Sequence, residues 1–385
     1  MLVVGAGPVG LVQALSLARA GFRVTVVEAL PAAGTTPGDI VYQWVSLPDL
    51  ASLGVLDDLL ALGIAQHRTF FQVRATGEMV EHDLSVLADE TPYPFNLHLR
   101  QSDVTDVLLR HLAREPSVRL VLGSAVLDVE QDVEGVRVRC DDDDGGCELE
   151  ASWLVGADGA HSVVRRRMGL AFPGMTWPER LVSVELAAPL EELGFFAAGN
   201  VLDPRRGAIV ACIEPGTRWR YIFAEQRALP EELTGSRVTK RVAAALRPDL
   251  ADAVDEWSAS RIHERSAATF RVGRVMLVGD AAHLTNPSIG MGTPAGIRDA
   301  LALTAAMSRL PQGPQRVAGE HPLDAFARER RHAFVEHISP VASERKKLIY
   351  NLESDSAVER EMESFRWAAA NKAALRAHFR ATVAM

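Results

Sequence analysis

The apolar positions of the first thirty residues change period twice. LVVG (2–5) reads as the end of a buried strand, Leu11 to Ala20 carries apolar residues at helical spacing, and RVTVVE (23–28) reads as a second strand ending in an acid. Gly21 stands where a glycine closing the helix belongs. Two further buried strands each run into an Asp and Gly turn. One lies in ASWLVGADGAHSVVRRRM (151–168), where Ser162 is placed to cap a following helix; the other lies in GRVMLVGDAAH (273–283). RLVSVEL (180–186), GAIVACI (207–213) and RWRYIFA (218–224) alternate or run apolar and predict a second sheet. Beyond residue 313 the pattern is helical. FRWAAANKAALRAHF (365–379) is amphipathic and predicts a face for the core or for the second subunit of a homodimer, with Trp367 in the core.

The turn between the first strand and helix is Gly5-Ala6-Gly7-Pro8-Val9-Gly10, and Glu28 follows Gly10 by 18 positions. Strand, glycines, helix, strand and acid in this order make GxGxxG informative about a dinucleotide. The first glycine allows the tight turn, the second lets a pyrophosphate approach the backbone, and the third lets helix and strand pack closely. The helix N-terminus offers free N–H groups to the phosphates. Glu28 would accept from a ribose 2′-OH, which favours an adenosine without a 2′-phosphate. By itself the motif leaves FAD and NAD open. The acids Asp158 and Asp280 stand at strand ends, where open α/β sheets bind ligands, and Gly159 and Gly279 flank them.

Composition narrows the field. A net charge of −9 with no block of Lys or Arg argues against nucleic acid as a partner. No apolar run approaches the roughly 20 residues of a membrane span. Cys140, Cys147 and Cys212 are odd in number and lack metal spacing, which predicts a reducing, cytoplasmic setting without disulfides. The apolar N-terminus lacks the basic start of a signal peptide, and beginning inside a strand it implies a few residues upstream. VRVRCDDDDGGCELEASWL (136–154) reads as a hairpin. Its Asp141–Asp144 run lacks the alternating ligands of a calcium loop and reads as a solvated turn. Arg165-Arg166-Arg167 reads as a solvated helix face, with contact to a nicotinamide dinucleotide as the alternative.

The three motifs together resemble the single-component FAD-dependent aromatic hydroxylases of the para-hydroxybenzoate hydroxylase fold, the group A flavoprotein monooxygenases. The resemblance covers about residues 1–310, and GLAFPGMTWPERLVSVEL (169–186) is similar to phenol- and 3-hydroxyphenylpropionate-hydroxylase-like members. It implies an α/β fold: a discontinuous Rossmann-like FAD-binding domain (1–74, 97–171 and 266–312), an inserted β-sheet substrate domain (75–96 and 172–265) and a C-terminal helical region (313–385). It implies FAD as cofactor and NADH or NADPH as co-substrate. Dioxygen would add at flavin C4a, and the hydroperoxide would hydroxylate a small phenolic or N-heteroaromatic ring. A reductase or halogenase of the same fold, or a flavin-binding protein without efficient turnover, are the alternatives.

The resemblance also assigns roles by position. Asp280 would bind the ribityl chain, Asp158 and Gly159 would support the pyrophosphate side, and Gln101 of RQSDVTDVLL (100–109) would approach FAD. In GDAAHLTNPSIGMGTPAG (279–296), the Pro287 carbonyl would face the substrate hydroxyl. Gly290, Met291, Gly292 and Thr293 would wrap the flavin, Gly292 and Thr293 close to the chemistry. Thr293 is a candidate N-cap, Pro294 a candidate first helical residue, and His283 is expected to be structural. Gln43, Trp44, Trp219, Tyr221 and Ile289 are candidate pocket residues beside Pro287. Two positions depart from the family. Relatives carry an arginine at the position of Gly38 in PGDIVYQW (37–44), a charge Arg100 could supply instead. They carry an asparagine at the position of Pro294, whose missing N–H removes one donor to the flavin.

Overall fold

The computed structural model describes residues 1–34, 38–141, 145–310 and 320–382. Pro37, the acids Asp142–Asp144 and the expected boundary at 312/313 lie outside the described residues.

Three short, fully buried strands bring the sequence motifs together. Leu2–Val4 lies at the middle of a six-stranded sheet with Leu154–Gly156 on one side and Val24–Val27 on the other, both parallel to it. Val275–Leu277 and Val118–Val121 extend the sheet outward, and Arg271–Val272 closes one edge antiparallel. Strands buried on both faces read as continuous apolar runs, as these do. The ends of Leu2–Val4, Leu154–Gly156 and Val275–Leu277 therefore lie side by side, and with them the glycine loop, Asp158 and Asp280.

Helices Pro8–Arg19, Gln101–Leu112 and Gly292–Ser308 pack on this sheet. Two glycines permit that closeness. A Cβ on Gly10 would stand 2.0 Å from the Gly5 carbonyl oxygen, and one on Gly296 would stand 2.5 Å from a Val9 methyl. The antiparallel ribbon of Ala125–Gln131, Val136–Asp141 and Cys147–Ala151 adds Val126, Val129, Val136 and Val138 to the same core. Its strand Val136–Asp141 alternates buried and exposed residues without exception.

A second sheet has eight strands, in the order His283–Leu284, Val254–Ser266, Gly174–Leu186, Arg218–Gln226, Ala208–Glu214, Ala198–Leu202, Arg68–Val73 and Met79–Asp83. Two of its strands correct the expected division of the chain. Arg68–Val73, assigned to the nucleotide side of the boundary at 74, pairs parallel with Ala198–Leu202. Phe70 and Phe71 are buried on its opposite faces, so this strand needs cover on both sides. His283–Leu284 pairs with Arg265 and Ser266, so the 266–312 segment also reaches into this sheet. A three-stranded sheet of Val41–Tyr42, Asn96–His98 and Ile64–Gln66 completes the fold.

Helix Pro322–Ala333 packs Leu323, Phe326 and Ala327 on the nucleotide core. Helix Asp355–Ala370 lays Val358, Met362 and Phe365 on the edge of the second sheet, where Phe365 stacks on Phe71 with centroids 3.7 Å apart. Trp367, expected in the core, is 64% exposed, because its neighbours at helical spacing already fill that face. No helix among the described residues is long and apolar enough to cross a membrane.

Candidate active site

The glycine loop opens one wall of a cleft lined by Gly5, Gly7, Pro8, Glu28, Gln101, Asp158 and Gly159. Gly5 has φ of 103°, and a Cβ there would stand 2.4 Å from the Ala157 carbonyl oxygen, so both conformation and space require glycine. Gly7 differs: its φ is −72° and a Cβ would meet nothing within 4 Å. The protein itself gives no reason for glycine at this position; a pyrophosphate against the backbone does. Gly292 repeats the case at the N-terminus of helix Gly292–Ser308, where a Cβ would also meet nothing within 4 Å. The residues present thus fit a dinucleotide. Glu28 braces the loop, accepting the Ala6 N–H at 2.7 Å and the Leu30 N–H at 3.0 Å. A carboxylate has further lone pairs for a ribose hydroxyl.

Asp158 accepts from the Ser162 hydroxyl at 2.6 Å and from the Val164 N–H at 3.1 Å, and Ser162 caps helix Val163–Arg167 as expected. Burial raises the Asp158 pKa, with the Ser162 hydrogen bond opposing it. Arg165 is buried rather than solvated. It donates to the Ala281 and Ala160 carbonyls, each at 2.8 Å, and lies 3.7 Å over the Phe172 ring, tying the Asp158 loop to the Asp280 turn. Arg166 and Arg167 donate to the carbonyls of His161 and Leu127.

The turn bearing Asp280 is held from beneath. Asp299, fully buried, accepts the Gly279 N–H at 3.1 Å and meets His283 Nε2 at 2.7 Å and Arg330 Nε at 2.8 Å. His283 also stacks on Phe334 with centroids 4.3 Å apart, so its role is structural, as expected. Among the described residues Asp280 makes no hydrogen bond, and it is open to solvent at the floor of a cleft ringed by protein atoms. That enclosure pushes its pKa up to about 6; His283 opposes the shift and Asp39 adds to it.

Glu264, almost fully buried, organises the next loop by accepting from the Thr285 and Ser339 hydroxyls, the Asn286 N–H and the Asn286 amide. Asn286 then caps the turn Pro287–Ile289, which ends on Gly290 at φ 61°. Gly290 donates to the Pro287 carbonyl at 3.0 Å, leaving that oxygen a second lone pair. Met291 points its side chain into a cluster with Phe334, Ile338 and Ala342, so only its backbone can meet a ligand. Thr293 is not the cap. The helix begins at Gly292, and the Thr293 hydroxyl donates to Asp39 Oδ2 at 2.6 Å. Pro294 is thus the third helical residue, where an N–H has no partner within the helix in any case.

An apolar cavity extends from the Pro287–Gly290 turn across the face of the eight-stranded sheet. Gln43, Trp44 and Ile289 line it as expected, and Gln43 donates to the Ile289 carbonyl. Trp219 and Tyr221 do not. Strand alternation turns them to the far face, where they are buried with Val238 and Val242 of helix Thr234–Ala245. Their neighbours Arg220 and Ile222 line the cavity instead.

Arg100 reaches toward Glu185 at 3.4 Å and Glu214 at 3.8 Å on the second sheet, sharing Glu185 with Arg220. A Cβ on Gly38 would stand 2.0 Å from Gln101 Oε1, so Gln101 fills the space a larger residue would take. The cation at this point is Arg220, which donates to the Gly38 carbonyl and pairs with buried Glu185 at 2.6 Å. Arg220, Asp39, Glu264 and Asp299 were missed from the sequence. Each acts through partners distant in the chain, and no local pattern marks it.

The chain matches the FAD binding domain family over residues 1–378. It is 37% identical over 352 residues to 6-hydroxy-3-succinoylpyridine 3-monooxygenase of Pseudomonas putida, covering 91% of this chain and 89% of that one. It is 35% identical over 348 residues to para-nitrophenol 4-monooxygenase of a Pseudomonas species, covering 89% and 85%. The crystal structure of p-nitrophenol 4-monooxygenase from Pseudomonas putida superposes with a TM-score of 0.89 at 32% identity, over 98% of this chain and 95% of that one. A cleft whose glycines make room for a dinucleotide, together with these relatives, makes the chain a member of the FAD-dependent aromatic hydroxylase family, the group A flavoprotein monooxygenases.

Proposed function

We propose that this FAD-dependent monooxygenase hydroxylates a single-ring phenol or hydroxypyridine, drawing electrons from NADH or NADPH in the cytoplasm. The balance is one reduced nicotinamide, one proton, one dioxygen and the arene giving the oxidised nicotinamide, water and the hydroxylated arene. FAD supplies the oxygen-activating chemistry when bound. The observation that carries the reading is the shared loop. The turn Pro287–Gly290 lines the apolar cavity, and the helix following it starts on Gly292, where an added Cβ would meet no described residue beyond the local chain within 4 Å.

The chain's own residues would then act as follows. Gly5 and Gly7 with the N-terminus of Pro8–Arg19 hold the pyrophosphate, Gly10 lets that helix pack against the glycine turn, and Glu28 holds the adenosine ribose. Asp158 and Gly159 support the pyrophosphate side, and Asp280 accepts from ribityl hydroxyls. Gly290, Met291, Gly292 and Thr293 present backbone to the flavin. The first-turn N–H groups of Gly292 and Thr293 would favour negative charge on a bound flavin, a contribution Pro294 cannot make. The free lone pair of the Pro287 carbonyl accepts from the substrate hydroxyl, drawing electron density toward the ring carbon to be attacked. The cavity's apolar walls exclude water from that carbon.

A panel of phenols and hydroxypyridines added to the FAD-loaded protein tests this. The expected result is ligand-stimulated NADH or NADPH oxidation, with one atom of isotopically labelled dioxygen in the product. Nicotinamide oxidation that no ligand stimulates, with no label in any product, rejects it.

A further inference from the structure

Helix Ser339–Tyr350 carries two adjacent cations with opposite fates. Lys346 is fully buried and satisfied: its ammonium lies 2.7 Å from Glu179 Oε2, 2.7 Å from Asn351 Oδ1 and 4.0 Å from the centre of the Trp177 ring. Arg345 lines the apolar cavity and makes no hydrogen bond or ion pair among the described residues. It lies over the Phe71 ring, whose centre is 5.1 Å from the guanidinium carbon. Burial lowers its pKa to about 10, Glu361 acting in the other direction, so it stays a cation at neutral pH.

The other charged groups of the cavity are already engaged. Arg220 is paired with Glu185, and Asp39 accepts from Thr293. The two histidines near Arg345 add no balancing charge. Burial, Arg345 and His82 bring the His378 pKa down to about 3, and burial also lowers that of His82. Asn200 is the register partner of Phe71 on the neighbouring strand, so it shares the cavity face, and its amide makes no hydrogen bond among the described residues. Phe71, Arg345 and Asn200 thus form a patch with a cation and an amide donor set in apolar walls. A cation in such surroundings is costly unless a counter-charge meets it.

We propose that Arg345, assisted by Asn200, receives a carboxylate carried on a side arm of the aromatic substrate, so that the enzyme selects anionic arenes over neutral ones of the same shape. The inference rests on the monooxygenase reading for the ring and adds the charge of its substituent.

The test is equilibrium binding to the FAD-loaded protein by titration calorimetry. The probes are hydroxyphenyl- and hydroxypyridinyl-alkanoic acids with arms of one to three carbons, each paired with its primary amide. A charge-assisted contact is expected to make at least one acid bind roughly 10- to 100-fold tighter than its amide. Arg345→Met keeps the packing on Phe71 and is expected to abolish that preference by weakening the acid alone; Arg345→Lys is expected to retain part of it. Equal binding of acids and amides, no binding of any acid, or an equal loss for both in Arg345→Met overturns the assignment. Labelled dioxygen in the product is scored separately. A protein that prefers acids but never oxygenates them defeats the monooxygenase reading alone, and one that oxygenates without preferring acids defeats the Arg345 assignment alone.

Discussion

Asp299, in the middle of helix Gly292–Ser308, accepts the backbone N–H of Gly279 at 3.1 Å and so sets the turn that carries Asp280. Burial works against its charge, but His283 and Arg330 outweigh burial and hold its pKa below the usual carboxylate value. Replacing it strands the Arg330 cation in the core. Asp299→Ala is expected to cost about 3–5 kcal/mol of stability. Thermal unfolding and flavin content of the purified variant check this. A protein that melts normally and keeps its flavin would show that the Gly279 turn needs no such support.

The pKa of Asp280, near 6, gives flavin binding a pH dependence. The ribityl hydroxyls donate only to an ionised or unprotonated oxygen, so bound FAD favours the carboxylate and lowers its pKa. By linkage, affinity is full above about pH 6 and falls as the pH drops below it, where the free protein must first lose a proton. FAD titrations of the flavin-stripped protein between pH 5 and 8, read by flavin fluorescence quenching, are expected to show that fall. Asp280→Asn should bind more weakly at pH 8 and lose the slope, and Asp280→Ala should be isolated without flavin. A slope that survives in Asp280→Asn assigns the titration to another group.

The cofactor cleft was legible in the sequence because it is made of local backbone. The GxGxxG turn, the Ser162 cap and the strand ends at Asp158 and Asp280 each follow from a few neighbouring residues. The substrate cavity was not. RWRYIFA announces a strand with two faces, but which face meets the cavity depends on helix Thr234–Ala245 covering the other, so Trp219 and Tyr221 were placed on the wrong side of it. Thr293 before Pro294 reads locally as a cap, yet its hydroxyl is taken by Asp39, 254 positions away. Nothing in SERKKL distinguishes Arg345 from Lys346; only the packing of the helix does.

Glycines required by the fold and glycines required by a ligand should separate experimentally. At Gly7 and Gly292 an added Cβ would meet no described residue beyond the local chain within 4 Å, and neither glycine carries a left-handed φ. The flavin-stripped variants are expected to melt within about 1 kcal/mol of the parent: alanine costs a fraction of that at the N-cap Gly7 and favours the helix at Gly292. Their FAD affinity should fall by an order of magnitude or more, as the new methyl would stand against the bound cofactor. Gly10→Ala places its Cβ 2.0 Å from the Gly5 oxygen and is expected to lose stability and flavin together. Unchanged FAD affinity in both Gly7→Ala and Gly292→Ala would mean that the flavin does not lie against these backbones.

His98 links the small sheet to the large one and makes stability depend on pH. It is 1% exposed, its Nδ1 lies 3.1 Å from the Cys212 carbonyl oxygen, and burial lowers its pKa to about 4 while that hydrogen bond opposes the shift. The folded protein therefore keeps the ring neutral at pH values where the unfolded chain, with an ordinary histidine pKa near 6.5, takes up a proton. The associated stability is fully present above about pH 6.5, declines as the pH falls, and is gone by about pH 4, a total of roughly 3 kcal/mol if the whole shift is expressed. His82 and His378, also lowered by burial, add in the same direction. His98→Gln keeps an amide donor for the Cys212 carbonyl but cannot titrate. Denaturant midpoints of parent and variant, compared at each pH so that contributions from other groups cancel, are expected to converge as the pH falls from 7 to 4.5. Parallel curves would show that His98 is protonated, or free to become so, in the folded protein.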